Sequence, residues 1–210
     1  MPLKTIVKTV VGLEDMDPQS APPKTLTCVF ATSPDASISW FLNGEKVQEM
    51  STQTFNPRKV GKTTNTSAIL ASTFSIRCPP KSGTYECIAD NDAKIVKSTR
   101  YLHFDNVPSS CPPILKQAPT IWGWTMGRFE TEHNVAILSC RASSPNATLT
   151  WQWFFNGQEI LTDGRFKILE TGDLKIRNIQ WADKGSYFCI ARNIYGESTR
   201  ETFLYPFASK

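Results

Sequence analysis

The chain has 210 residues, an apolar fraction of 40% and a formal net charge of +4. This length allows two compact domains of about 100 residues each. The charge is spread along the chain without a continuous basic stripe, which argues against a nucleic-acid partner. The sequence contains no apolar run of the length that a membrane-spanning helix needs, so no membrane insertion is predicted.

Short β-rich runs separated by Gly, Pro, Asn and Ser predict an all-β fold without long helices. In the first half of the chain the predicted strands cover residues 24–30, 37–42, 68–76, 83–90 and 94–104. In the second half they cover residues 135–141, 148–155, 174–179, 185–192 and 198–205. The proline-rich stretch between the two sets is predicted to be a linker.

Two cysteines with a tryptophan between them occur in the same order in each half. They are Cys28, Trp40 and Cys87, and then Cys140, Trp153 and Cys189. This order is typical of an immunoglobulin β-sandwich, in which a disulfide joins the two sheets and packs on an indole. The sequence therefore predicts two tandem immunoglobulin-like domains of the intermediate-set type, at residues 1–105 and 119–210, with a linker at 106–118.

A tyrosine lies two residues before the second cysteine of each predicted domain. At this position the phenols of Tyr85 and Tyr187 are expected to hydrogen-bond back to the preceding turn, as a tyrosine corner. Asp183 is expected to brace that turn in the second domain, whereas Lys81 stands at the matching place in the first. The first turn therefore needs a different brace.

Six cysteines allow fifteen pairings. The sandwich pattern assigns Cys28 to Cys87 and Cys140 to Cys189, which leaves Cys78 and Cys111. The last strand of the first domain returns toward the turn that holds Cys78, so a bond between Cys78 and Cys111 is predicted. The alternative is that one of these two cysteines pairs with another molecule.

Disulfides persist outside the cell, so a secreted, extracellular protein is predicted. The start at Met1 lacks the apolar run of a signal peptide, and a mature chain without its leader is the expectation. Acceptor triplets at Asn65 and Asn146 predict N-glycosylation, although such short triplets also arise by chance.

The sequence gives little support for catalysis. Its two histidines, His103 and His133, lie in different predicted domains and belong to no nucleophile or metal-ligand spacing. The predicted disulfides use every cysteine, and no glycine-rich phosphate loop follows a strand. No catalytic residue, cofactor or metal is predicted, and the function is expected to be binding.

Strand alternation predicts an exposed aromatic face on the second domain. Since Trp153, Tyr187 and Cys189 point inward, Phe154, Phe188 and Ile190 should point outward on the same sheet, near Phe203 or Tyr205. Three readings are open for this face: a protein or peptide ligand binds it, it packs against the first domain or a second copy in a homodimer, or it is simply exposed.

The second domain also carries a family resemblance, in the segments Gly172–Ile176, Ile179–Tyr187, Cys189–Asn193 and Thr202–Pro206. These segments resemble the secreted two-immunoglobulin-domain family, which includes the nematode neuronal zwei-Ig proteins and an insect ecdysone-inducible, insulin-binding protein. The resemblance implies a non-enzymatic role in extracellular signalling or maintenance of axon position, through insulin-like peptides. It equally allows an adhesion module that binds a neuronal immunoglobulin-family receptor or itself.

Overall fold

The computed structural model describes residues 8–13, 25–47, 66–105, 107–111, 117–145 and 147–208. Within these ranges the chain is all-β, as predicted, and a short 3₁₀ turn lies at Trp181–Asp183. The predicted glycosylation sites Asn65 and Asn146 lie outside the described residues. Part of the predicted linker, at 106 and 112–116, lies outside them too.

Seven strands of the described residues belong to the N-terminal sandwich. They are β1 (Lys8–Val11), β2 (Thr25–Thr32), β3 (Ser37–Leu42), β4 (Glu45–Lys46), β5 (Ser67–Ser75), β6 (Gly83–Asp90) and β7 (Ile95–Leu102). The strands predicted at 37–42 and 83–90 coincide with β3 and β6.

Nine further strands, again within the described ranges, form the C-terminal sandwich. They are β8 (Thr120–Thr131), β9 (Ala136–Leu138), β10 (Cys140–Ser143), β11 (Thr150–Phe155), β12 (Gln158–Glu159), β13 (Phe166–Ile168), β14 (Leu174–Ile176), β15 (Gly185–Asn193) and β16 (Gly196–Phe207). The long strand β8 was not among the strands predicted from the sequence.

Each sandwich has its own core around a buried tryptophan and a disulfide. Trp40 packs in one core with the bond between Cys28 and Cys87. Trp153 packs in the other with the bond between Cys140 and Cys189. Both indoles also donate a hydrogen bond, from Trp40 Nε1 to Ser72 Oγ at 3.0 Å and from Trp153 Nε1 to the Gly172 carbonyl at 2.8 Å. The indole N–H groups are thus satisfied inside the protein.

One sheet runs through both sandwiches. Its strands follow the order β1-β2-β5-β8-β16-β15-β11-β12, with β10 also paired to β8. Strand β8 pairs antiparallel with β5, where Leu70 lies opposite Thr125, and parallel with β16, where Phe203 lies opposite Gly127. Two smaller sheets complete the sandwiches, β4-β3-β6-β7 in the N-terminal one and β13-β14-β9 in the C-terminal one.

The two cores exchange side chains across this junction. Trp122 of β8, only 7% exposed, belongs to the N-terminal core. Val29 and Ala71, from β2 and β5, belong to the C-terminal core. Ser72 Oγ donates a hydrogen bond to the Trp122 carbonyl at 3.0 Å and so connects the Trp40 indole to β8. The junction between the sandwiches is therefore packed like a domain interior.

A buried ion pair lies on β8 at the same junction. Arg128 donates a hydrogen bond to Glu130, and both side chains are almost fully buried. Glu130 Oε1 also accepts from the Thr131 backbone N–H at 3.1 Å and from Asn134 Nδ2 at 2.9 Å. Burial lowers the pKa of the Arg128 guanidinium, while Glu130 acts in the opposite direction. Loss of either partner would leave an uncompensated buried charge.

The third disulfide joins Cys78, in the turn before β6, to Cys111 in the linker, the pair expected from the sequence. Tyr85 donates its phenol hydrogen to the Lys81 carbonyl at 2.6 Å, and Tyr187 donates to the Asp183 carbonyl at 2.9 Å. Asp183 braces its turn by accepting from the Gln180 N–H at 2.8 Å. In the N-terminal turn, which lacks that aspartate, the disulfide ties down the same segment.

Candidate functional site

The side chains predicted to form an aromatic face lie on three neighbouring strands of the continuous sheet. Phe154 of β11 stands opposite Phe188 of β15, and Phe188 stands opposite Glu201 of β16. Phe188 is 38% exposed and Phe203 is 40% exposed, whereas Phe154, Ile190 and Tyr205 are half-buried. We call this surface the aromatic face and define it by Phe154, Phe188, Ile190, Phe203 and Tyr205.

Strand β8 extends this face toward the N-terminal sandwich. Phe203 lies opposite Gly127 of β8, and Gly127 lies opposite Ile69 of β5. A Cβ on Gly127 would stand 3.4 Å from Ile69 Cδ1, so the glycine leaves a low point between Phe203 and Ile69. The strand pairing therefore aligns Phe203, Gly127 and Ile69 in one row across the two sandwiches.

Further aromatic rings adjoin Tyr205 at one end of the face. Its ring centroid lies 5.4 Å from that of Phe207 and 6.4 Å from that of Phe129. Trp181, from the 3₁₀ turn, meets Tyr205 edge-on at 5.7 Å, and the Lys184 ammonium lies 4.7 Å from both of these rings. Phe207 and Trp181 are 41% and 53% exposed, so the aromatic surface is larger than the predicted one.

Strand alternation is a usable sequence signal for part of this extension. Phe207 and Phe203 have the same parity on one strand as Tyr205, so alternation alone would have placed Phe207 on the face. Phe129 and Ile69 could not be placed, because Phe129 reaches the face through the pairing of β8 with β16 and Ile69 through the pairing of β5 with β8. Trp181 lies in a turn, where strand parity gives no direction.

The histidines of the described residues lie apart from each other and from any metal-type cluster. No cluster of His, Cys, Asp and Glu with the arrangement of a metal site occurs in the described ranges. His103 pairs with Asp105 at 3.0 Å, and His133 Nδ1 lies 3.1 Å from Asn178 Oδ1, so the two histidines have separate surroundings. No helix in the described part of the chain is long and apolar enough to cross a membrane.

A depression away from the aromatic face also has a structural explanation. It is lined by Trp122, Trp151 and Arg141, among others, at one end of the C-terminal sandwich. Arg141 already binds the buried Asp173 carboxylate at 2.7 Å, and that carboxylate also accepts from the Cys140 N–H. The charge in this depression therefore holds the strands together, and we place the candidate site on the aromatic face.

The fold is that of a protein of two immunoglobulin domains, and the C-terminal one carries an exposed aromatic face. The immunoglobulin domain family model matches residues 119–193. The chain is 36% identical to zwei Ig domain protein zig-4 of Caenorhabditis elegans over 208 residues, which are 97% of this chain and 81% of the relative. It is 37% identical to zig-3 of the same organism over 97% of this chain and 82% of the relative. The chain belongs to the zwei Ig domain family.

An insect protein provides the structural comparison. Neural/ectodermal development factor IMP-L2 of Drosophila melanogaster is 32% identical over 127 residues, which are 59% of this chain and 47% of that protein. A crystal structure of IMP-L2 matches with a TM-score of 0.70 over 98% of this chain and 96% of that chain, at 24% identity. This similarity supports the paired two-domain fold.

Proposed function

We propose that the protein is a secreted, non-enzymatic binding protein of the nervous system that acts in extracellular signalling or maintenance of axon position by capturing insulin-like peptides. The observation that carries the proposal is the continuity of the aromatic face across β8. A stable protein interface covers about 800 Å² on each partner, more than three or four aromatic side chains supply alone. The adjoining β8 and β5 surface provides the additional area.

Other observations support the setting. Three disulfides are typical of proteins in an oxidising extracellular environment. The relatives are zwei Ig proteins and a factor named for neural and ectodermal development. Apolar and aromatic peptide surface would be complementary to Phe188, Phe203 and Tyr205, since exposed aromatic side chains contribute strongly at interfaces.

The alternative is an adhesion or recognition module that uses the same face to bind itself or a neuronal immunoglobulin-family receptor. An apolar sheet face of this kind can also meet a second copy of itself across a two-fold axis. Glu201 lies beside Phe188. If the two-fold axis passed near Phe188, the Glu201 carboxylates of the two copies would lie close to each other. Such a like-charge contact weakens the homodimer reading relative to a ligand.

The test is a biosensor titration of the oxidised protein with a panel of insulin-like peptides, together with light scattering. Phe188→Asp places a charge in the face, and Tyr101→Asp is the matched control because Tyr101 is 65% exposed on the other sheet of the N-terminal sandwich. We expect submicromolar binding of a peptide, lost in Phe188→Asp and kept in Tyr101→Asp.

Other outcomes would redirect the assignment. Self-association that Phe188→Asp abolishes, without peptide binding, would identify the adhesion module. If neither peptide binding nor the oligomer mass from light scattering depends on Phe188, the aromatic face is not the site. The search then moves to receptor ectodomains and to other surfaces.

A further inference from the structure

A compact array of positive charge lies on the outer surface of the small sheet β13-β14-β9. Lys167 of β13 stands directly opposite Lys175 of β14. Two residues from each lysine along its chain segment, the Arg177 N–H donates to the Arg165 carbonyl at 2.9 Å. These two arginines therefore lie opposite each other as well. Two cross-strand pairs of like charge are therefore adjacent on one face.

The inner face of the same strands explains why the cations point outward. Leu174 and Ile176 are fully buried in the C-terminal core, and Phe166 and Ile168 pack against it. Side chains alternate along a strand, so the intervening residues must face solvent. The four cations form a grid with spacings of about 5 Å across the strands and about 7 Å along them.

Several other cations on the described strands have an acidic partner. Lys97 pairs with Glu86, Arg192 with Glu197, and Arg128 with Glu130. Within the array, Arg165 pairs with Asp183 at 2.6 Å. By contrast, Lys167, Lys175 and Arg177 have no carboxylate partner among the described residues, and Arg177 Nη1 donates only to the Gly164 carbonyl.

Like charges directly opposite each other destabilise an antiparallel pair, so the array costs stability in the free protein. A bound polyanion would neutralise this repulsion, so the array would then contribute favourably to the stability of the complex. Lys167 and Arg177 are exposed and Lys175 is half-buried on this open sheet face. An open row of cations suits an extended anionic polymer better than an enclosed small ion. Asp163 and Asp183 lie at one end only, where they bind Arg165, so the anion would bind along Lys167, Lys175 and Arg177.

We propose that this face binds a sulfated polysaccharide of the extracellular matrix or cell surface. Disulfide-bonded proteins work outside the cell, where sulfated polysaccharides are present. The strongly anionic leaflet of the membrane faces the cytoplasm instead, so an anionic lipid surface is the less suitable partner. The array lies on the sheet opposite the one that carries the aromatic face. The protein would therefore hold a polysaccharide and a peptide or protein partner on opposite sides, and this site does not depend on the function of the aromatic face.

The experiment measures binding to immobilised heparin and heparan sulfate at several NaCl concentrations. Lys167→Gln with Lys175→Gln removes two contacts without changing the inward side chains. Lys81→Gln with Lys94→Gln is the matched control, because it removes the same charge from exposed positions on the N-terminal sandwich. Unfolding curves for both variants establish that they are folded.

We expect the wild type to bind heparan sulfate in a salt-dependent manner and the Lys167, Lys175 variant to bind at least about tenfold more weakly. The slope of the logarithm of affinity against the logarithm of salt should fall by about two, as each lost contact removes about one released counterion. The control variant should behave like the wild type. Arg177→Gln, made separately, should reduce the slope by about one.

Three results would overturn the proposal. An equal loss of heparan sulfate affinity in the control variant would show that only the net charge of the protein determines binding. Equal binding to hyaluronan, which carries carboxylates without sulfates, would remove the specificity for sulfate. Stronger binding to vesicles of phosphatidylserine and phosphatidylcholine than to heparan sulfate would assign the array to a lipid surface instead.

Discussion

Individual side chains determine much of the stability of each sandwich, and the tyrosine corners illustrate this. The Tyr187 phenol is fully buried and donates to the Asp183 carbonyl. Burial raises the pKa of Tyr187 well above its ordinary value, and the nearby Asp183 acts in the same direction. Burial also raises the pKa of Tyr85, and the hydrogen bond to the Lys81 carbonyl acts in the opposite direction.

The buried phenol predicts a loss of stability in alkali. The folded protein holds the Tyr187 proton more tightly than the unfolded chain, so the free energy of unfolding falls as the pH rises above about 10, the ordinary phenol pKa. The loss continues until the folded phenol itself ionises. Urea unfolding at about pH 8 and about pH 10.5 should show a smaller pH effect in Tyr187→Phe than in the wild type. An unchanged pH effect in that variant would contradict the prediction.

The cation array predicts a stabilising substitution. In Lys175→Glu a pair of opposite charges replaces the like-charge pair with Lys167, and the free energy of unfolding should rise by about 0.5 kcal/mol at low salt. The gain should shrink in 1 M NaCl because salt screens exposed charges, with a Debye length of about 3 Å at that concentration. Lys81→Glu, with the same change of charge elsewhere, serves as the control in urea unfolding at both salt concentrations. A loss of stability in Lys175→Glu would show that the lysine stem packs more favourably than its charge repels.

At the scale of the element, β8 has an unusual position. Its first half pairs with β10 and β5, and its second half pairs with β16 and β5. The register shifts next to Trp122 and again at Met126, so the strand turns its side chains to different environments along its length. This is how one strand contributes Trp122 to one core and Ile121 and Trp124 to the other.

Trp122→Ala tests that contribution. Removal of a buried indole typically costs about 3–5 kcal/mol. Because the indole fills the N-terminal core, the substitution should speed hydrogen exchange in β2 and β5, although Trp122 lies in the second domain by sequence. Exchange measured by mass spectrometry checks this, with Trp181→Ala as a control because Trp181 is exposed. Faster exchange confined to β10 and β14 would contradict the shared core.

The linker disulfide is predicted to be the most reactive of the three. Cys78 is exposed and Cys111 is half-buried, whereas the four other cysteines are at most 1% exposed. Exchange requires access of a thiolate to the disulfide, so mild dithiol treatment should open the bond between Cys78 and Cys111 first. Alkylation and peptide mapping would detect this order. Removal of this disulfide in the double variant Cys78→Ser, Cys111→Ser should lower the free energy of unfolding by about 2–4 kcal/mol.

Local patterns in the sequence predicted the elements that local chemistry determines. The Cys, Trp and Cys order placed both cores, and strand parity placed Phe154, Phe188 and Ile190 on one face. The junction was missed because the pairing of β5 with β8 joins strands from different predicted domains, and no local pattern specifies such a partner. The run Ile121–Met126, which follows Pro119 and Thr120, is apolar and β-prone and was the available signal for a strand.

At the scale of the whole molecule, the continuous sheet changes what two immunoglobulin domains can do. Domains joined only by a linker keep their faces separate and move relative to each other. Here the β5 and β8 strands share a ladder, side chains of each sandwich enter the core of the other, and a buried ion pair lies at the junction. The aromatic face is therefore held as one surface, while the division at residues 105 and 119 stays a prediction from the sequence.

The most direct test of this account is the detection of amide–amide nuclear Overhauser contacts between β5 and β8 in solution. The structure predicts contacts that follow the antiparallel register, with Leu70 opposite Thr125 and Ala71 opposite Trp124. Observation of this ladder would establish that the two sandwiches share one sheet. If β5 shows contacts to β2 alone, the sandwiches are separate in solution and the aromatic face ends at β8.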